Sequence, residues 1–492
     1  MATAQSGTGR TVTTRIPARL DRLPWSRWHW SVVIGLGTVW ILDGMEVTVV
    51  GNIAARLSEP GSGLPITSGQ VTGISAALYV TGACLGALFW GRLTDIYGRK
   101  KLFLITLAVY LGATAMTALS FDTWWFFLFR FFTGFGIGGE YAAINSAIDE
   151  LIPAKYRGRV DLLINGSFWL GAVAGALLSI VALDTSIFPA NVGWRLTFAL
   201  GAVLSLVILL VRRHVPESPR WLLIHGRHEE AERIVAGIEK RVTADGGREL
   251  PPAEDEMTIH QRGRTTFAEI ARTVFARYRR RSTLGFALFI GQAFLYNAIT
   301  FGFGAILTQF FDVPSGHTGY YFAVIAAGNF LGPLLLGKLF DTVGRRIMIS
   351  GTYVLSGALL FGTAWLFDRG SLTAVTMTAC WCVVLFFASA GASSAYLTVS
   401  EVFPMETRAM SIAFFYALGT AAGGISGPLL FAELTNTGKV GDTVLAFQIG
   451  AGLMAAAGVV AALLAVNAER RSLEDIAAPL SAAEPQQAAA RP

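Results

Sequence analysis

Residues 91–100 read Gly91-Arg92-Leu93-Thr94-Asp95-Ile96-Tyr97-Gly98-Arg99-Lys100, and residues 337–346 repeat them as Gly337-Lys338-Leu339-Phe340-Asp341-Thr342-Val343-Gly344-Arg345-Arg346. Each copy lies between long apolar segments. A second motif recurs in the same way, as Glu150-x-x-Pro153-x-x-x-Arg157 and Glu401-x-x-Pro404-x-x-x-Arg408. Both repeats are offset by about half of the 492 residues, so the sequence predicts two copies of one membrane unit, an arrangement common in secondary transporters.

The composition is that of a membrane protein. Mean hydropathy is +0.53 and only 15% of the residues are charged, which is too apolar for a soluble chain of this length. Apolar runs near the roughly 20 residues that cross a bilayer recur along the chain. The sequence predicts an all-α polytopic protein with twelve transmembrane helices, at about 29–53, 69–90, 102–120, 124–148, 162–183, 194–212, 283–311, 318–339, 347–367, 373–399, 409–433 and 443–467.

The basic residues predict the orientation. Four of them (Arg56, Arg195, Arg369 and Lys439) fall on one side of the predicted bilayer and Arg130 lies inside span 4, which leaves 34 of the 39 Lys and Arg on the other side. The positive-inside rule makes that side cytoplasmic. We therefore expect an integral protein of the plasma (inner) membrane, with both termini cytoplasmic and in contact with membrane lipids. Nucleic-acid binding is excluded, because these charges are scattered over short loops.

Five segments follow from this topology. We expect a disordered cytoplasmic N-terminus (1–28), an N-terminal six-helix bundle (29–212) and a charged cytoplasmic insert (213–282). A C-terminal six-helix bundle (283–467) and a disordered tail (468–492) complete the chain. Within the insert, the pattern predicts short amphipathic helices at about 217–225, 229–241 and 266–280.

The repeated loop has a physical explanation. Its glycines allow a sharp turn and a close approach of helices. Asp95 and Asp341 can cap or face the N-terminus of a neighbouring helix, where negative charge is favoured. The basic pairs, Arg99-Lys100 and Arg345-Arg346, can pair with Glu150 and Glu401, closing the cytoplasmic side in one conformation and releasing it in the other. The alternative is that these are ordinary positive-inside charges.

The loop resembles the signature of the major facilitator superfamily, and two further motifs narrow the resemblance. Pro216–Leu222 is similar to the segment after helix 6 of the sugar porters. Arg130-x-x-x-Gly134-x-Gly136-x-Gly138-Gly139-Glu140 resembles the fourth helix of proton-linked metabolite and aromatic-acid symporters. The resemblance implies two pseudo-symmetric six-helix bundles and a cytoplasmic gate formed by Gly91, Asp95, Gly98, Arg99, Glu150, Arg157, Glu217, Arg220, Asp341, Arg345, Arg346, Glu401 and Arg408.

Charges inside the spans indicate a coupling site. Span 1 contains Asp43 and Glu46, which are three residues apart and share a helix face. A charge within the bilayer costs about 3 kcal/mol or more, so such residues usually face the interior and have a function. The pair resembles the acidic couple of aromatic-acid/proton symporters, and Arg130 matches their helix-4 arginine. We hypothesise that Glu46 carries the proton and exchanges it against Arg130; the alternative is a permanently ionised structural pair.

Polar and aromatic side chains deep in other spans are candidates for binding substrate. Span 7 places Gln292, Tyr296 and Asn297 before two glycines that permit a helix break. Gln292 and Asn297 match the helix-7 pattern of sugar porters. The other candidates are Trp169, Tyr141, Asn145, Asn329, Tyr396 and Tyr416, each of which packing alone also explains.

Two departures from the sugar-porter pattern bear on the substrate. Gly171-Ala172 stands where those proteins carry a helix-5 Gln, and Gly391–Tyr396 replaces their helix-10 Gly-Pro-x-x-Trp. A hexose would lose hydrogen-bond partners and a stacking indole, so an aromatic or carboxylic metabolite is comparably favoured.

The resulting prediction is a transporter and not an enzyme. We expect a proton-coupled symporter of a small organic metabolite, such as a sugar, an aromatic acid or another carboxylate, working by alternating access. We expect a monomer with no cofactor, the proton being the coupling ion, and with no metal site, since the three cysteines all lie in apolar spans. A facilitative uniporter, a drug or metabolite exporter, and a transport-inactive sensor remain alternatives.

Overall fold

In the part of the chain that the structure describes, twelve long helices lie at the positions of the twelve predicted spans. The computed structural model describes residues 11–67, 70–212, 216–246, 250–253, 256–260, 271–314 and 317–480. The helices are α1 (Arg27–Ser58), α2 (Ala76–Tyr97), α3 (Arg99–Ala118), α4 (Thr123–Leu151), α5 (Arg157–Ala182), α6 (Ala190–Arg212), α7 (Arg279–Phe311), α8 (Thr318–Thr342), α9 (Arg345–Asp368), α10 (Ala374–Val402), α11 (Arg408–Asn436) and α12 (Val440–Leu464).

Length and composition suit these helices to a membrane. Within the described residues, nine of the twelve are long and apolar enough to cross a bilayer, and α4, α6 and α7 are the others. Helix α4 carries Arg130 and Glu140, both almost fully buried among its neighbours. A helix satisfies its own backbone hydrogen bonds, which lipid cannot do. The prediction of an all-α polytopic protein is confirmed.

Helix packing repeats with a period of six. Helix α2 packs on α4 as α8 packs on α10, α1 packs on α5 as α7 packs on α11, and α3 packs on α6 as α9 packs on α12. The main contacts between the halves are related by the same shift of six helices: α5 packs on α8, and their equivalents α11 and α2 pack on each other. The fold therefore has the internal pseudo-symmetry that the repeated motifs predict.

The repeated motif is mostly helical, whereas the sequence predicts that it forms a tight connection between two spans. Gly91–Tyr97 forms the last two turns of α2, and Gly98 alone turns the chain into α3 with φ of +99°. Gly344 does the same between α8 and α9 with φ of +118°. A side chain is disfavoured at this φ, so each motif needs a glycine at its second glycine position.

The terminal segments correct a second expectation, that of disorder over 1–28 and 468–492. Strand β1 (Thr11–Thr14) pairs antiparallel with β2 (Met257–His260), with Thr11 opposite His260. A short helix, Ile16–Asp21, follows β1, and another, Leu473–Ile476, lies beyond α12. Residues 1–10 and 481–492 lie outside the described part of the chain.

The insert holds these segments in place by charge. Arg19 and Arg22 bind Glu239 at 2.7 and 2.6 Å. Glu239 belongs to the insert helix His228–Gly246, which follows the short helix Pro219–Ile224. The third predicted insert helix lies partly outside the described residues; its end is a π-helical turn, Arg272–Arg277, before α7. Polar composition alone does not reveal such pairing between segments distant in sequence.

Candidate functional site

A buried ion pair lies in the middle of the N-terminal half. Glu46 of α1 accepts a hydrogen bond from Arg130 Nη1 of α4 at 2.5 Å, and the two side chains are 3% and 2% exposed. The other Glu46 oxygen accepts from the Thr114 hydroxyl of α3 at 3.3 Å. A buried pair of this kind is costly to break by removing one partner, since the remaining charge is then uncompensated. The structure brings together the two residues on which the coupling hypothesis rests.

Asp43 joins this pair through tyrosines. The guanidinium carbon of Arg130 lies 4.6 Å from the centroid of the Tyr79 ring, and the Tyr79 hydroxyl donates to Asp43 Oδ1 at 2.9 Å. The Tyr141 hydroxyl donates to Asp43 Oδ2. Tyr79 therefore contacts the arginine with its face and the second acid with its hydroxyl, so a displacement of Arg130 can be transmitted to Asp43.

Four aromatic side chains lie around Asp43, and we call them the aromatic cluster: Trp40, Tyr141, Tyr396 and Tyr416. Trp40 stacks on Tyr141 with centroids 4.6 Å apart. Tyr141 meets Tyr416 edge to face at 4.7 Å, and Trp40 meets Tyr396 at 5.8 Å. Trp40 and Tyr141 belong to the N-terminal half, while Tyr396 and Tyr416 belong to α10 and α11. The cluster therefore bridges the two halves at the depth of Asp43.

A chain of amides continues from the cluster toward the start of α5. Asn145 donates to the Tyr141 carbonyl at 2.8 Å, and Asn165 donates to Asn145 Oδ1 at 3.0 Å. Asn165 also donates to the carbonyl of Asp161, one turn earlier, at 2.9 Å. The Asp161 side chain is fully buried, and neither carboxylate oxygen has a hydrogen-bond partner among the described residues.

A second group of predicted binding residues spans the halves. Trp169 of α5 stacks on Tyr296 of α7 with centroids 5.5 Å apart, and Tyr296 donates to Asn329 Oδ1 of α8 at 2.7 Å. Gln292 is half-buried on α7 and takes no part in these contacts. The Asn297 side chain lies outside the described residues.

Both aspartates of the repeated motif cap a helix of the opposite half. Asp341 of α8 accepts from the backbone N–H groups of Gly158 and Arg159, at 3.0 and 2.9 Å, in the first turn of α5. Asp95 of α2 accepts from the N–H of Met410 at 3.2 Å, in the first turn of α11. The unpaired N–H groups and the positive end of a helix favour a carboxylate there. These are the caps that the sequence predicts, and they join the halves.

The first glycine of each motif permits this close contact. A Cβ built on Gly91 would lie 2.7 Å from the Cβ of Ala413 on α11. A Cβ built on Gly337 would lie 3.3 Å from Cα of Arg159 on α5. A larger residue at either position would force α2 from α11, or α8 from α5.

Ion pairs surround the two caps, and we call this end of the molecule the closed end. Within the halves, Arg99 binds Glu150 at 2.9 Å and Arg345 binds Glu401 through two nitrogens, each at 3.0 Å. Three longer pairs cross between the halves. They are Arg157–Glu401 at 3.8 Å, Arg408–Asp149 at 3.9 Å and Arg408–Glu150 at 3.6 Å.

The terminal segments and the insert extend this network. Arg220 binds Glu474 at 2.9 Å and Asp21 at 3.4 Å, and donates to the Glu150 carbonyl at 2.8 Å. Burial raises the pKa of Asp21, and Arg220 opposes this without reversing it. Burial alone would also raise the pKa of Glu474, but Arg220, a backbone hydrogen bond and the charges of Arg408 and Arg157 together outweigh burial, and the pKa is lowered. The insert therefore links the N-terminal segment to the tail.

Glutamates following each half cap α3 and α9. Glu217 accepts from the N–H of Arg99 at 2.9 Å, and Glu469 accepts from the N–H of Arg345 at 3.3 Å. Burial raises the pKa of Glu217, although several backbone N–H groups act against it. Glu469 extends the repeat to a residue that the sequence comparison of the halves did not single out.

Two basic residues of the motif depart from the prediction. Arg346 donates to the carbonyl of Ala462 at 2.7 Å, at the end of α12, and does not pair with Glu401. Lys100 contributes its backbone N–H to Glu217 and does not pair with Glu150. Of each basic pair, the first residue points into the closed end, because consecutive residues of a helix lie on different faces.

Comparison with known proteins identifies the family. A model of the family described as "Sugar (and other) transporter" matches residues 63–479. The chain is 26% identical to the niacin transporter NiaP of Acinetobacter baylyi over 85% of this chain and 90% of that one. It is 28% identical to the inner membrane metabolite transport protein YgcS of Escherichia coli, over 84% and 87%.

A solved structure agrees on the fold. The proton:xylose symporter XylE, of the major facilitator superfamily, superimposes with a TM-score of 0.73 over 91% of this chain and 98% of that one, at 16% identity. The chain therefore belongs to the sugar (and other) transporter family and has the major facilitator fold. Both the predicted superfamily and the prediction of a transporter and not an enzyme are confirmed.

Proposed function

We propose that the protein is a proton-coupled symporter of a small organic metabolite, with Glu46 as the proton carrier. The observation that carries the proposal is the buried Glu46–Arg130 pair, which Tyr79 connects to Asp43. A relative, the arabinose-proton symporter of Bacillus subtilis, is 26% identical over 79% of this chain, and its name supports proton coupling within the family.

The coupling follows from charge. A proton on Glu46 removes the negative partner of Arg130 and weakens the 2.5 Å contact. The guanidinium is then held by the face of Tyr79, whose hydroxyl binds Asp43. Substrate bound beside Asp43 and a proton on Glu46 thus act on one connected set of side chains. Loading of both therefore shifts the equilibrium between the two conformations further than loading of either one alone.

The two halves supply the movement. The closed end is held by the caps at Asp95 and Asp341 and by the ion pairs that cross between the halves. Rocking the halves apart there breaks these contacts, and the aromatic cluster separates with them. We propose that the closed end faces the cytoplasm, since the basic residues concentrate on it. The mechanism uses the proton as coupling ion and needs no cofactor.

Uptake into proteoliposomes tests this proposal. Purified protein is reconstituted with an inward proton gradient and supplied with labelled nicotinate, xylose, arabinose and myo-inositol, compounds taken from the names of similar proteins. At least one compound should accumulate above its external concentration, and a protonophore should abolish the accumulation. Uptake that equilibrates and ignores the gradient would replace symport by facilitated diffusion, and transport of none would reject the proposed substrate range.

A further inference from the structure

Asp161 is a buried acid that the proposed mechanism does not use. It lies in the second turn of α5, just beyond the residues that Asp341 caps, and its side chain is 0% exposed. Neither of its oxygens accepts a hydrogen bond from any described residue. Four residues after Arg408, as Asp161 is four after Arg157, the other half has the buried Ile412. Packing at this position therefore does not require an acid, and an ionised one is costly to bury.

The neighbouring amide does not supply the missing donor. Asn165 lies one turn after Asp161 on the same face of α5 and interacts with it. Its amide nitrogen donates to Asn145 Oδ1 at 3.0 Å and to the Asp161 backbone carbonyl at 2.9 Å, so both amide hydrogens are used. The remaining oxygen, Asn165 Oδ1, accepts no hydrogen bond from any described residue. The carboxylate of Asp161 and this amide oxygen are thus two neighbouring acceptors that both lack a donor.

The charges around Asp161 disfavour a further negative charge. Asp149 of α4 and Glu401 of α10 repel it, and Arg345 of α9 attracts it. Arg345 is already committed, because two of its nitrogens bind Glu401 at 3.0 Å each and the third binds Asp341 of α8 at 2.9 Å. The attraction by Arg345 is therefore shared with two other acids.

The other buried groups at this end have partners of their own. Asp149 also accepts no hydrogen bond from the described residues, but Arg157 and Arg408 each lie 3.9 Å from it. On α1, which packs along α5, the His29 ring is hydrogen-bonded at 2.9 Å to a hydroxyl at the start of its own helix. Two arginines compensate Asp149, whereas the one arginine that acts on Asp161 is engaged elsewhere.

We propose that Asp161 is a second proton-binding site, which holds a proton while the closed end is shut and releases it to water when that end opens. The proton turns one carboxylate oxygen into an O–H donor, and Asn165 Oδ1 is the acceptor for it. Opening parts α5 from α8 and admits water, which solvates the ionised carboxylate and takes up the proton. Closing takes a proton back from the same water, so this proton does not cross the membrane.

This site makes opening depend on pH. Because the closed conformation binds one proton more at Asp161 than the open one, the ratio of open to closed molecules rises with pH, by at most about tenfold per pH unit. Proton-coupled uptake lowers the pH inside, which would hold the closed end shut and slow further uptake. That consequence rests on the proposed function, in which the closed end faces the cytoplasm; the pH dependence of opening does not.

Spin labels across the closed end measure the opening. In a background without the three native cysteines, the labels are attached to Lys155→Cys, just before α5, and Ile347→Cys, in the first turn of α9, both at exposed positions. Every protein also carries Glu46→Gln, which keeps the coupling site neutral at all pH values. In nanodiscs without substrate, pulsed distance measurements should show the ratio of long to short distances rising at least about fivefold from about pH 6 to about pH 8.

Variants assign the response to Asp161. Asp161→Asn should stay as closed at the higher pH as the labelled parent is at the lower pH, with a change of less than about twofold. Asp161→Glu should keep the pH response, which separates loss of the titratable group from misfolding. A ratio independent of pH in the parent, or a response that survives in Asp161→Asn, overturns the proposal, and does so even if proton-driven uptake is intact. Loss of symport alone would reject the role of Glu46 and leave this site standing.

Discussion

Replacing Asp341 by Asn should open the closed end. The Asp341 carboxylate accepts two backbone hydrogen bonds from the first turn of α5, on the other half, at 3.0 and 2.9 Å. Asn offers one acceptor oxygen, and its amide nitrogen would face a donor. The contact of Asp341 with Arg345 at 2.9 Å lies within one half and is kept when the halves part. The substitution therefore acts mainly on the closed conformation.

The magnitude follows from the hydrogen bonds that the substitution weakens or removes. A hydrogen bond to a charged group contributes about 1.5–3 kcal/mol, and a carboxylate at a helix N-terminus about 0.3–1 kcal/mol. Allowing for the one oxygen that Asn keeps, we expect about 2 kcal/mol for Asp341→Asn, which is roughly a 30-fold rise in the ratio of open to closed molecules. Asp95 makes one such bond, at 3.2 Å, so Asp95→Asn should cost about 1 kcal/mol, or roughly fivefold.

Alkylation of a buried cysteine measures this ratio. Ala413 is 1% exposed and faces Gly91 between the halves. In a background without the three native cysteines, Ala413→Cys should react with a maleimide at a rate proportional to the open population. Asp368→Asn, at an exposed aspartate ending α9, should leave the rate unchanged. A rate for Asp341→Asn within twofold of the parent would refute the capping argument.

Three further outcomes are expected. Tyr79→Phe keeps the ring on Arg130 but loses the bond to Asp43, so gradient-driven accumulation should fall roughly fivefold while counterflow persists; equal loss of both would make Tyr79 merely structural. Asp161→Asn replaces a buried carboxylate that has no hydrogen-bond partner among the described residues by a neutral amide, which costs less to bury in the closed conformation. Alkylation at position 413 should therefore slow by a few-fold. Faster alkylation would show instead that the Asp161 charge stabilises the closed conformation. Arg220 helps to hold the pKa of Glu474 low. The Arg220–Glu474 ion pair therefore stabilises the fold fully at pH values above the ordinary Glu pKa of about 4.3, and this stabilisation is lost as the pH falls through the lowered pKa. Glu474→Gln should therefore lower the melting temperature at pH 7, with a difference that persists to the ordinary Glu pKa of about 4.3 and disappears only below the lowered pKa; a difference independent of pH would exclude the ion pair as its cause.

The sequence reveals those features that depend on repetition and on charge in apolar segments. The repeated Asp95 and Asp341 predict two equivalent caps, and the structure places both on helices of the opposite half. Glu46 and Arg130 are detectable because a charge in a span needs a partner, and both lie in predicted spans of the same half. In both cases, the physical cost of the residue type limits where it can lie.

The sequence does not reveal those site residues whose side chains are of a kind common in the surrounding core. Tyr79 and Trp40 lie in apolar spans, where an aromatic side chain usually packs, so only their contacts with Arg130 and Tyr141 distinguish them. Asp161 and Asp149 lie close in sequence to the charged residues of a loop, so the sequence does not distinguish them from ordinary loop charges. The terminal segments are held in place by ion pairs such as Arg19–Glu239, which join segments about 220 residues apart in the sequence. A search for acids without an equivalent in the other half would have found Asp161.

The most direct test of the proton-carrier assignment compares two transport modes in Glu46→Gln. With the substrate identified by uptake, the variant should exchange it in counterflow, because a glutamine side chain stays neutral, like protonated Glu46, and so keeps the substrate-loaded halves able to rock. It should fail to accumulate substrate in response to a proton gradient, while Glu433→Gln, at an exposed acid of α11, should accumulate it normally. Gradient-driven accumulation by Glu46→Gln at the level of the parent protein would contradict the assignment of Glu46 as the proton carrier.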